Sequence, residues 1–581
     1  MKSTFNLELT KAGIPKRLTY SCPRELSDVV RMATGGCATF RNGRWGMPVD
    51  PTYLRRLLPL TGARVTDTLK DYLGYLKRQQ IQVVEAVKDG SPLGPDDGLW
   101  GPIQRASVRF LEAGGRVVLG HEMGVGKTVI ACKALEQIPT SRILIVCPNS
   151  VKWSWVDHIA EWAHLEYPVL VMESGGKSNE ELRPKKNAHE LYGSKTERDN
   201  QLSTMIAEKQ SFALIMNYEQ MAIHSKIFAE SEYDVIIVDE AHRVKNRKAK
   251  RTKALIDLSK RSAYFWLLTG TPVRNSHADV WTLLNMCDPI RFGSYWNFVK
   301  TYMLTVNNYF GGIDITGLID EAEFNTMLSR YMYRKTKKEA LPELPDKIYF
   351  DHKLALNPEQ AGAYQTMEDE FILHIRKELE DGAIMEELLS APTTVAQLIR
   401  LRQICLTPAL LGGVADSAKL DALNDVVQDL IYDNQKFIIY TAFRAFIPFV
   451  EVILQGLKVP YGIIRGGQKS EERARLQDSL THGMLQAIVG TTSAMGEGMN
   501  LQAATTAIFL DIDWVPAVNQ QAEDRLHRAG IKKSPTIIRL YHPGTVEEDI
   551  RLTCSRKERI IDETVGQVEV MRNMLLRQSK R

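Results

Sequence analysis

Long apolar runs are missing from this sequence. No stretch approaches the ~18 consecutive apolar residues that a membrane-crossing helix needs, and the opening MKSTFNLELTKAGIPKRL lacks the apolar centre of a secretory signal. The expectation is a protein of the cytoplasm or nucleus with no membrane partner. Cysteine is sparse: Cys22, Cys37, Cys132, Cys147, Cys287, Cys405 and Cys554 are scattered and form no C-x-x-C pair. Such an odd, dispersed set excludes a disulfide scaffold and a zinc ribbon, and reads as reduced thiols. An excess of one charge is lacking too. Basic residues number 74 and acidic residues 70, a net charge of +4 that is too mild by itself to name a polyanion as partner. What remains is ordinary globular composition, 44% hydrophobic and 25% charged over 581 residues, enough for three or four domains at roughly 150 residues each.

The densest chemical signal is Val117 to Leu135, VVLGHEMGVGKTVIACKAL. Val117, Val118 and Leu119 read as a buried parallel strand and Val129 to Leu135 as a helix, with Gly124-Val125-Gly126-Lys127-Thr128 between them. A phosphate chain needs closely approaching backbone N–H groups, a helix N-terminus aimed at it and a cation for its outer charges. Gly124 and Gly126 permit the approach, Lys127 supplies the cation, and the Thr128 hydroxyl is placed for Mg²⁺. The full pattern G-x-x-x-x-G-K-[ST] would put glycine at position 121, where this chain has His121. Locally, an ordinary strand-to-helix turn is the competing reading.

The surrounding chain alternates strands and helices from Leu99 onward. Gln104 precedes Lys127 at a spacing suited to reading an adenine. Strand Ile143 to Cys147 leads into Pro148-Asn149-Ser150, and Trp155, Ile159 and Trp162 after it have the spacing of a core face. Asn149, Ser150 and Asn217, which follows strand Phe212 to Met216, stand where a polymer's phosphates would be met. Strand Asp234 to Val238 delivers Asp239 and Glu240, the acidic pair that Mg²⁺-assisted phosphoryl transfer needs: one carboxylate for the metal, one to orient and deprotonate water. A basic run from Arg243 to Lys253 follows, and strand Phe265 to Leu268 ends in Thr269-Gly270-Thr271-Pro272. Glu173 to Ser203 is polar and lysine-rich and reads as a surface insertion. Near the N-terminus, Asn42-Gly43 signals a hairpin carrying Phe40, Arg41, Arg44 and Trp45, either a structural cap or a substrate-binding module.

Taken together, Gln104, HEMGVGKT, CPNSVKWSW, DEAHRVKN and LLTGTPVRN resemble the first motor lobe of SWI/SNF-type superfamily 2 ATPases. The resemblance runs to about residue 550. Tyr333-Arg334-Lys335-Thr336-Lys337 with Leu344-Pro345-Asp346-Lys347 is similar to that family's interlobe linker, and Leu356 to Leu411 to its helical protrusion. Strands at Phe437–Tyr440, Tyr461–Ile464, Ala487–Val489, Ala507–Leu510 and Thr536–Arg539 rebuild a second sheet. Thr492 to Gln502, with Gly498, resembles the motif touching DNA and the other lobe, and Gln521 to Arg528 the arginine-finger motif. Phe40 to Met47 and the helix after it are faintly similar to the HARP module of annealing helicases. His121 stands in place of the family's usual acid and Ile531 in place of a common glutamine.

The resemblance implies an α/β fold: two RecA-like parallel-sheet motor lobes with helical insertions and a small N-terminal accessory domain. The expected divisions are 1–98 for that accessory domain, 99–290 for lobe 1, 291–415 for linker and protrusion, 416–550 for lobe 2 and 551–581 for a basic brace or tail. It implies ATP and Mg²⁺ as cofactors. Nucleotide would be bound by Gln104, Gly124, Gly126, Lys127, Thr128 and Gly498, and the metal by Thr128 and Asp239. Glu240 would activate water, and Arg525 and Arg528, three apart on one helix face, would stabilise the transferring phosphoryl group. Phosphates of double-stranded or branched DNA would meet Asn149, Ser150, Asn217, Thr441 and Thr492. The activity implied is a DNA-dependent ATPase translocating on duplex, as a monomer, on fork, repair or recombination structures or against DNA-bound proteins. A strand-separating DNA or RNA helicase and a nucleotide-switched DNA-binding protein are the alternatives.

Overall fold

The computed structural model describes residues 3–22, 24–41, 44–94, 97–172, 188–191, 194–229, 231–270, 277–307, 313–380, 392–468, 470–496, 499–556 and 574. The chain divides into two compact units, Met1–Leu341 and Pro342–Arg581. Each is built on a wholly parallel sheet, as expected of strands apolar on both faces that must be covered by helices on both sides.

In the first unit the sheet has eight strands in the order Met332–Tyr333, Arg116–Leu119, Ser262–Leu268, Tyr233–Asp239, Arg142–Cys147, Phe212–Asn217, Val169–Met172 and Ala188–Leu191. Alternate residues of each strand feed opposite cores. Val146, Ile236, Val238 and Leu267 pack on one face, and Ile145, Ile237, Trp266 and Leu268 on the other. Of the surface insertion expected over 173–203, residues 173–187 and 192–193 lie outside the described residues, and the rest joins the fold. Ala188–Leu191 adds the sheet's edge strand beside Val169–Met172. Lys195–Ala207 forms a helix opened by a capping box between Ser194 and Glu197, with Arg198 and Leu202 buried. Local hydrogen bonding at the cap and two inward side chains were enough to order a polar sequence.

Residues before Arg116 form a five-stranded mixed sheet, Thr39–Arg41, Arg44–Met47, Pro15–Ser21, Thr4–Leu9 and Arg64–Val65. Phe5 stacks on Tyr20 at 4.2 Å in its core. The strands flanking Asn42-Gly43 pair as a hairpin, though that dipeptide lies outside the described residues. Phe40 is exposed and Trp45 buried. The helix Pro51–Thr61 is capped by Asp50, whose side chain accepts from Thr52 N.

The second unit's sheet has six strands, Ile348–Lys353, Thr536–Tyr541, Thr506–Phe509, Phe437–Thr441, Ala487–Thr491 and Tyr461–Ile464. The five strands expected from sequence are all present, and Ile348–Lys353 joins them on one edge. The expected helical region appears as Pro358–Glu380 and Pro392–Leu406. These pack with Trp514, Val546 and Ile550 into one core. The basic tail is described as a helix only to Arg556, with Met574 buried beyond it.

Candidate functional site

Register decides which residues meet at the first sheet's edge. Leu119 pairs with Leu268, and Leu268 with Asp239. The three strands therefore end in a row, bringing the glycine loop, Thr269-Gly270 and Asp239-Glu240 to the sheet's carboxyl edge, where open α/β sheets carry their sites. Cys147 pairs with Asn217, so Asn149 and Ser150 belong to the same edge.

The loop turns into its helix through Gly126, the N-cap of Lys127–Leu135, at φ +88° and ψ +33°. A side chain there is excluded by conformation and by space, since a Cβ would lie 2.8 Å from Gln104 Nε2. Gln104 is buried against this turn: its Oε1 accepts from Trp100 N at 2.8 Å and its Nε2 donates to Val125 O at 2.7 Å. It thus acts as a brace for the loop, and both ends of the amide that was expected to read adenine are engaged within the protein. Lys127 Nζ donates to the carbonyls of His121 at 2.9 Å and Glu122 at 3.2 Å.

Asp239 and Glu240 close the strand on the same edge. Glu240 adopts φ +53° and ψ +48°, a left-handed backbone that is strained for a non-glycine residue and of the kind concentrated at functional sites. Its N–H donates to Asp239 Oδ1 at 2.9 Å. Burial first, and then the neighbouring Glu240 carboxylate, push the Asp239 carboxyl above the ordinary carboxylate range, while Trp155, Lys127 and the Glu240 amide pull it back. Trp155 Nε1 donates to Asp239 Oδ2 at 3.0 Å, and Tyr218 OH donates to the Asp239 carbonyl. Sequence reasoning placed Trp155 in the core. It is buried, and its indole N–H also fixes the carboxylate. Its place on the helix after CPNS was the available signal. His242 Nδ1 lies 3.2 Å from Glu240 Oε2 and 3.4 Å from Thr269 Oγ1.

In the second unit, Thr441 pairs with Thr491, which puts Thr441 and Thr492 at that sheet's carboxyl edge. The two motifs expected to act there are tied together. Arg525 Nε donates to Gly496 O at 3.1 Å, and Leu501 N to Arg525 O at 3.0 Å. Arg525 and Arg528 do not share a helix face, as the spacing predicted. The helix Pro516–Glu523 ends before them, because the chain tightens into i→i−3 bonds, Arg525 N to Ala522 O and Leu526 N to Glu523 O. Burial, and then the charge of Arg525, hold the Arg528 guanidinium down to about 9. Lys347 supports this turn, reaching Glu523 at 2.9 Å and Asp524 at 2.8 Å, while His527 Nε2 lies 2.8 Å from Pro345 O. The role of Lys347 was not legible from sequence, where it read only as part of a linker motif.

Two of the expected phosphate contacts have partners within the protein. Asn217 is a helix N-cap: its side chain accepts from Gln220 N and donates to Asn149 Oδ1 at 3.1 Å. Thr441 is fully buried, and its hydroxyl donates to Asp511 Oδ1 at 2.8 Å. Both side chains serve the fold. Asn149 is exposed, Ser150 half-buried and Thr492 buried. Gly498, Thr271 and Pro272 lie outside the described residues. Among the described residues, no helix is long and apolar enough to cross a membrane.

Comparison with known proteins shows the family. The SNF2-related domain model matches residues 104–410, more than half of the chain, and the helicase conserved C-terminal domain matches 418–530. A Drosophila melanogaster relative, SWI/SNF-related matrix-associated actin-dependent regulator of chromatin subfamily A-like protein 1, is 30% identical over 77% of this chain and 53% of its own length. The probable ATP-dependent DNA helicase CHR12 of Arabidopsis thaliana is 27% identical over 80% of this chain and 41% of its own. The DNA annealing helicase and endonuclease ZRANB3 of Bos taurus is 27% identical over 80% and 40%. A solved structure, the Sulfolobus solfataricus SWI2/SNF2 ATPase core in complex with dsDNA, aligns at 21% identity and a TM-score of 0.34 over 85% of this chain and 97% of that one. The chain thus spans about two fifths to a half of the relatives' lengths. With both domain models matched in order, the chain belongs to the SNF2-related, SWI/SNF-type family of superfamily 2 ATPases.

Proposed function

We propose that this chain is an ATP-driven translocase on double-stranded DNA that remodels forked, repair or recombination structures or displaces DNA-bound proteins. The observation that carries the reading is the alignment of the glycine loop and the Asp239-Glu240 pair on one sheet edge, with Glu240 in a strained conformation beside a carboxylate whose charge is disfavoured. A nucleotide's phosphates are held by Lys127 and by the backbone N–H groups where its helix begins. The donor set fits Mg²⁺: Asp239 offers a carboxylate and Thr128 a hydroxyl, both hard oxygens, and a divalent cation supplies countercharge to a carboxylate that burial, and then Glu240, push toward protonation. When bound, that ion neutralises charge on the phosphates. Glu240 orients the attacking water and takes its proton.

Arg525 and Arg528 stabilise the charge developing on the γ-phosphoryl group, and such fingers are worth roughly 10³ to 10⁵ in rate. The lowered affinity of Arg528 for its proton supports this role, since a phosphate supplies the countercharge that burial denies it. DNA backbone contacts fall to Asn149, Ser150 and Thr492, without base readout, and residues 1–98 select among DNA structures. The acting unit is a monomer.

The test is ATP hydrolysis without nucleic acid and then with single-stranded, duplex and forked DNA and RNA, alongside Glu240→Gln. Stimulation by duplex or fork, lost in the variant, is the expected result. Stimulation only by RNA or single strands would move the chain to the helicase alternative. No hydrolysis would leave a nucleotide-switched DNA-binding protein.

A further inference from the structure

The segment that ends the first unit is a strand of its sheet, clamped to the nucleotide loop. Met332–Tyr333 pairs with Val118 and Leu119. The ladder then continues beyond the strand into the loop: Gly120 N donates to Tyr333 O at 2.9 Å and Glu122 N to Lys335 O at 3.0 Å. Two side chains return the bonds. Lys335 N donates to His121 Nδ1 at 3.0 Å, and Lys337 N to Glu122 Oε2 at 2.7 Å. The lone pair used on Nδ1 fixes the His121 tautomer, so Nε2 carries the proton and donates to Ser107 Oγ at 2.6 Å; that hydroxyl donates to Ile103 O at 2.6 Å. The imidazole is fully buried, edge-on to Tyr333 at 4.9 Å. Thr336 and Glu339 then form a capping box that starts Lys337–Ala340.

The same two residues receive Lys127. Its ammonium sits on the carbonyls of His121 and Glu122, so the group that must turn to a nucleotide's phosphates rests on the residues whose side chains hold the segment leading to the second unit. We infer that His121 and Glu122 are positioning residues that transmit the state of Lys127 to residues 331–341. When Lys127 leaves the two carbonyls, the 121–122 backbone is released, and the hold on the Lys335 and Lys337 amides changes with it. The departure at position 121 gains a physical meaning here: a neutral imidazole accepts from the linker and donates to the helix Pro102–Gly114 at once, whereas an ionised carboxylate in its place would only accept.

The inference rests on the reading of Lys127 as a nucleotide-binding residue, and the experiment separates the two. Binding of a fluorescent ADP analogue with Mg²⁺ is titrated first. Hydrogen–deuterium exchange of peptides covering 331–341 is then compared with and without Mg²⁺-ADP in the full chain. The expected result is binding together with a change of about tenfold in exchange of that segment, the size of a local opening equilibrium shifted by a ligand. In His121→Ala and Glu122→Ala the segment exchanges fast in both states, and His121→Gln, which can still accept and donate, restores the nucleotide response. Peptides of the second unit report that the variants are folded. Binding with no change in 331–341 overturns the relay alone. A response as large in the two alanine variants as in the unaltered chain also overturns it. Absence of binding overturns both the relay and the nucleotide reading.

Discussion

Trp155 holds Asp239: an indole N–H on one helix donates at 3.0 Å to a carboxylate at the end of a strand far away in sequence. The bond favours the charged form of a carboxyl that burial and Glu240 push toward protonation. Trp155→Phe keeps the ring in the core and deletes only the donor. If Asp239 holds Mg²⁺ as proposed, an outer partner of this kind is worth roughly 10- to 100-fold in metal affinity or activity. The Mg²⁺ concentration for half-maximal hydrolysis should therefore rise about tenfold, with the unfolding free energy lowered by only about 1 to 2 kcal/mol. An unchanged Mg²⁺ requirement would leave Trp155 a packing residue.

His121 predicts an acid-labile first unit. Burial, and then Lys127 and Lys335, lower its pKa from 6.5 to about 3. The unfolded chain therefore binds this proton more tightly than the folded one, and the stability that the neutral imidazole confers is complete above pH 6.5 and lost as pH falls toward 3. Between those limits the loss amounts to about 1.4 kcal/mol per pH unit. His542, lowered to about 4 by burial in the second unit, has the same sign. Urea unfolding of the protein and of His121→Gln at a series of pH values isolates the first term, because His542 and the carboxylates cancel in the difference. Parallel profiles would contradict it.

How much of this was legible beforehand follows from what each signal depends on. The strands ending at Leu119, Cys147, Asp239 and Leu268 were readable because apolar runs bounded by glycine, proline or carboxylates are local properties. The position of the candidate nucleotide residues at the ends of those strands was readable for the same reason. Arg525 and Arg528 were expected on one helix face because their spacing matches a helix, but the chain tightens into i→i−3 bonds after Glu523, and the turn is tied to the distant Gly496 and Lys347. Asn217 and Thr441 share the local pattern of a phosphate contact, small polar residues after strands, yet one caps a helix and the other meets Asp511, a residue distant in sequence. Which of two jobs a polar side chain does is decided by partners that no window of sequence contains.

Lys347 supplies a third test. It is nearly buried, and its ammonium faces Glu523 and Asp524 at 2.9 and 2.8 Å, with Arg539 on the far side of Glu523 at 2.7 Å. Burial alone would lower its pKa, but the two carboxylates outweigh that and raise it. Removing Lys347 leaves Glu523 to Arg539 alone and takes the nearest cation from Asp524, a loss of about 3 to 5 kcal/mol for a broken buried pair. Lys347→Ala should destabilise the second unit by that order in urea unfolding. It should also slow DNA-stimulated hydrolysis, because Asp524 adjoins Arg525 in the turn. Loss of stability without loss of stimulated hydrolysis would separate the salt bridge from the arginines.

The last prediction concerns residues 1–98. They are fastened to the eight-stranded sheet's side of the same unit by polar bonds that an independently moving module would not need. Asp50 Oδ1 accepts from Arg291 Nη2 at 2.8 Å and Oδ2 from Tyr302 OH at 2.6 Å. Tyr53 OH lies 2.6 Å from Thr301 Oγ1, and Arg56 pairs with Glu323 at 2.7 Å. Arg291 in turn holds the Asp50 carboxyl below its ordinary range despite burial. Asp50→Ala leaves the Arg291 guanidinium buried without its partner and removes the cap of Pro51–Thr61, together about 3 to 5 kcal/mol. If the module is fixed to this unit through Asp50, limited proteolysis of the variant should cut between residues 87 and 101 at least tenfold faster, since cleavage there follows the population of the opened form. Hydrolysis on plain duplex should persist while the preference for forked DNA falls. Equal cleavage rates would mean that the remaining contacts suffice to hold the module, and an unchanged fork preference would remove residues 1–98 from substrate selection.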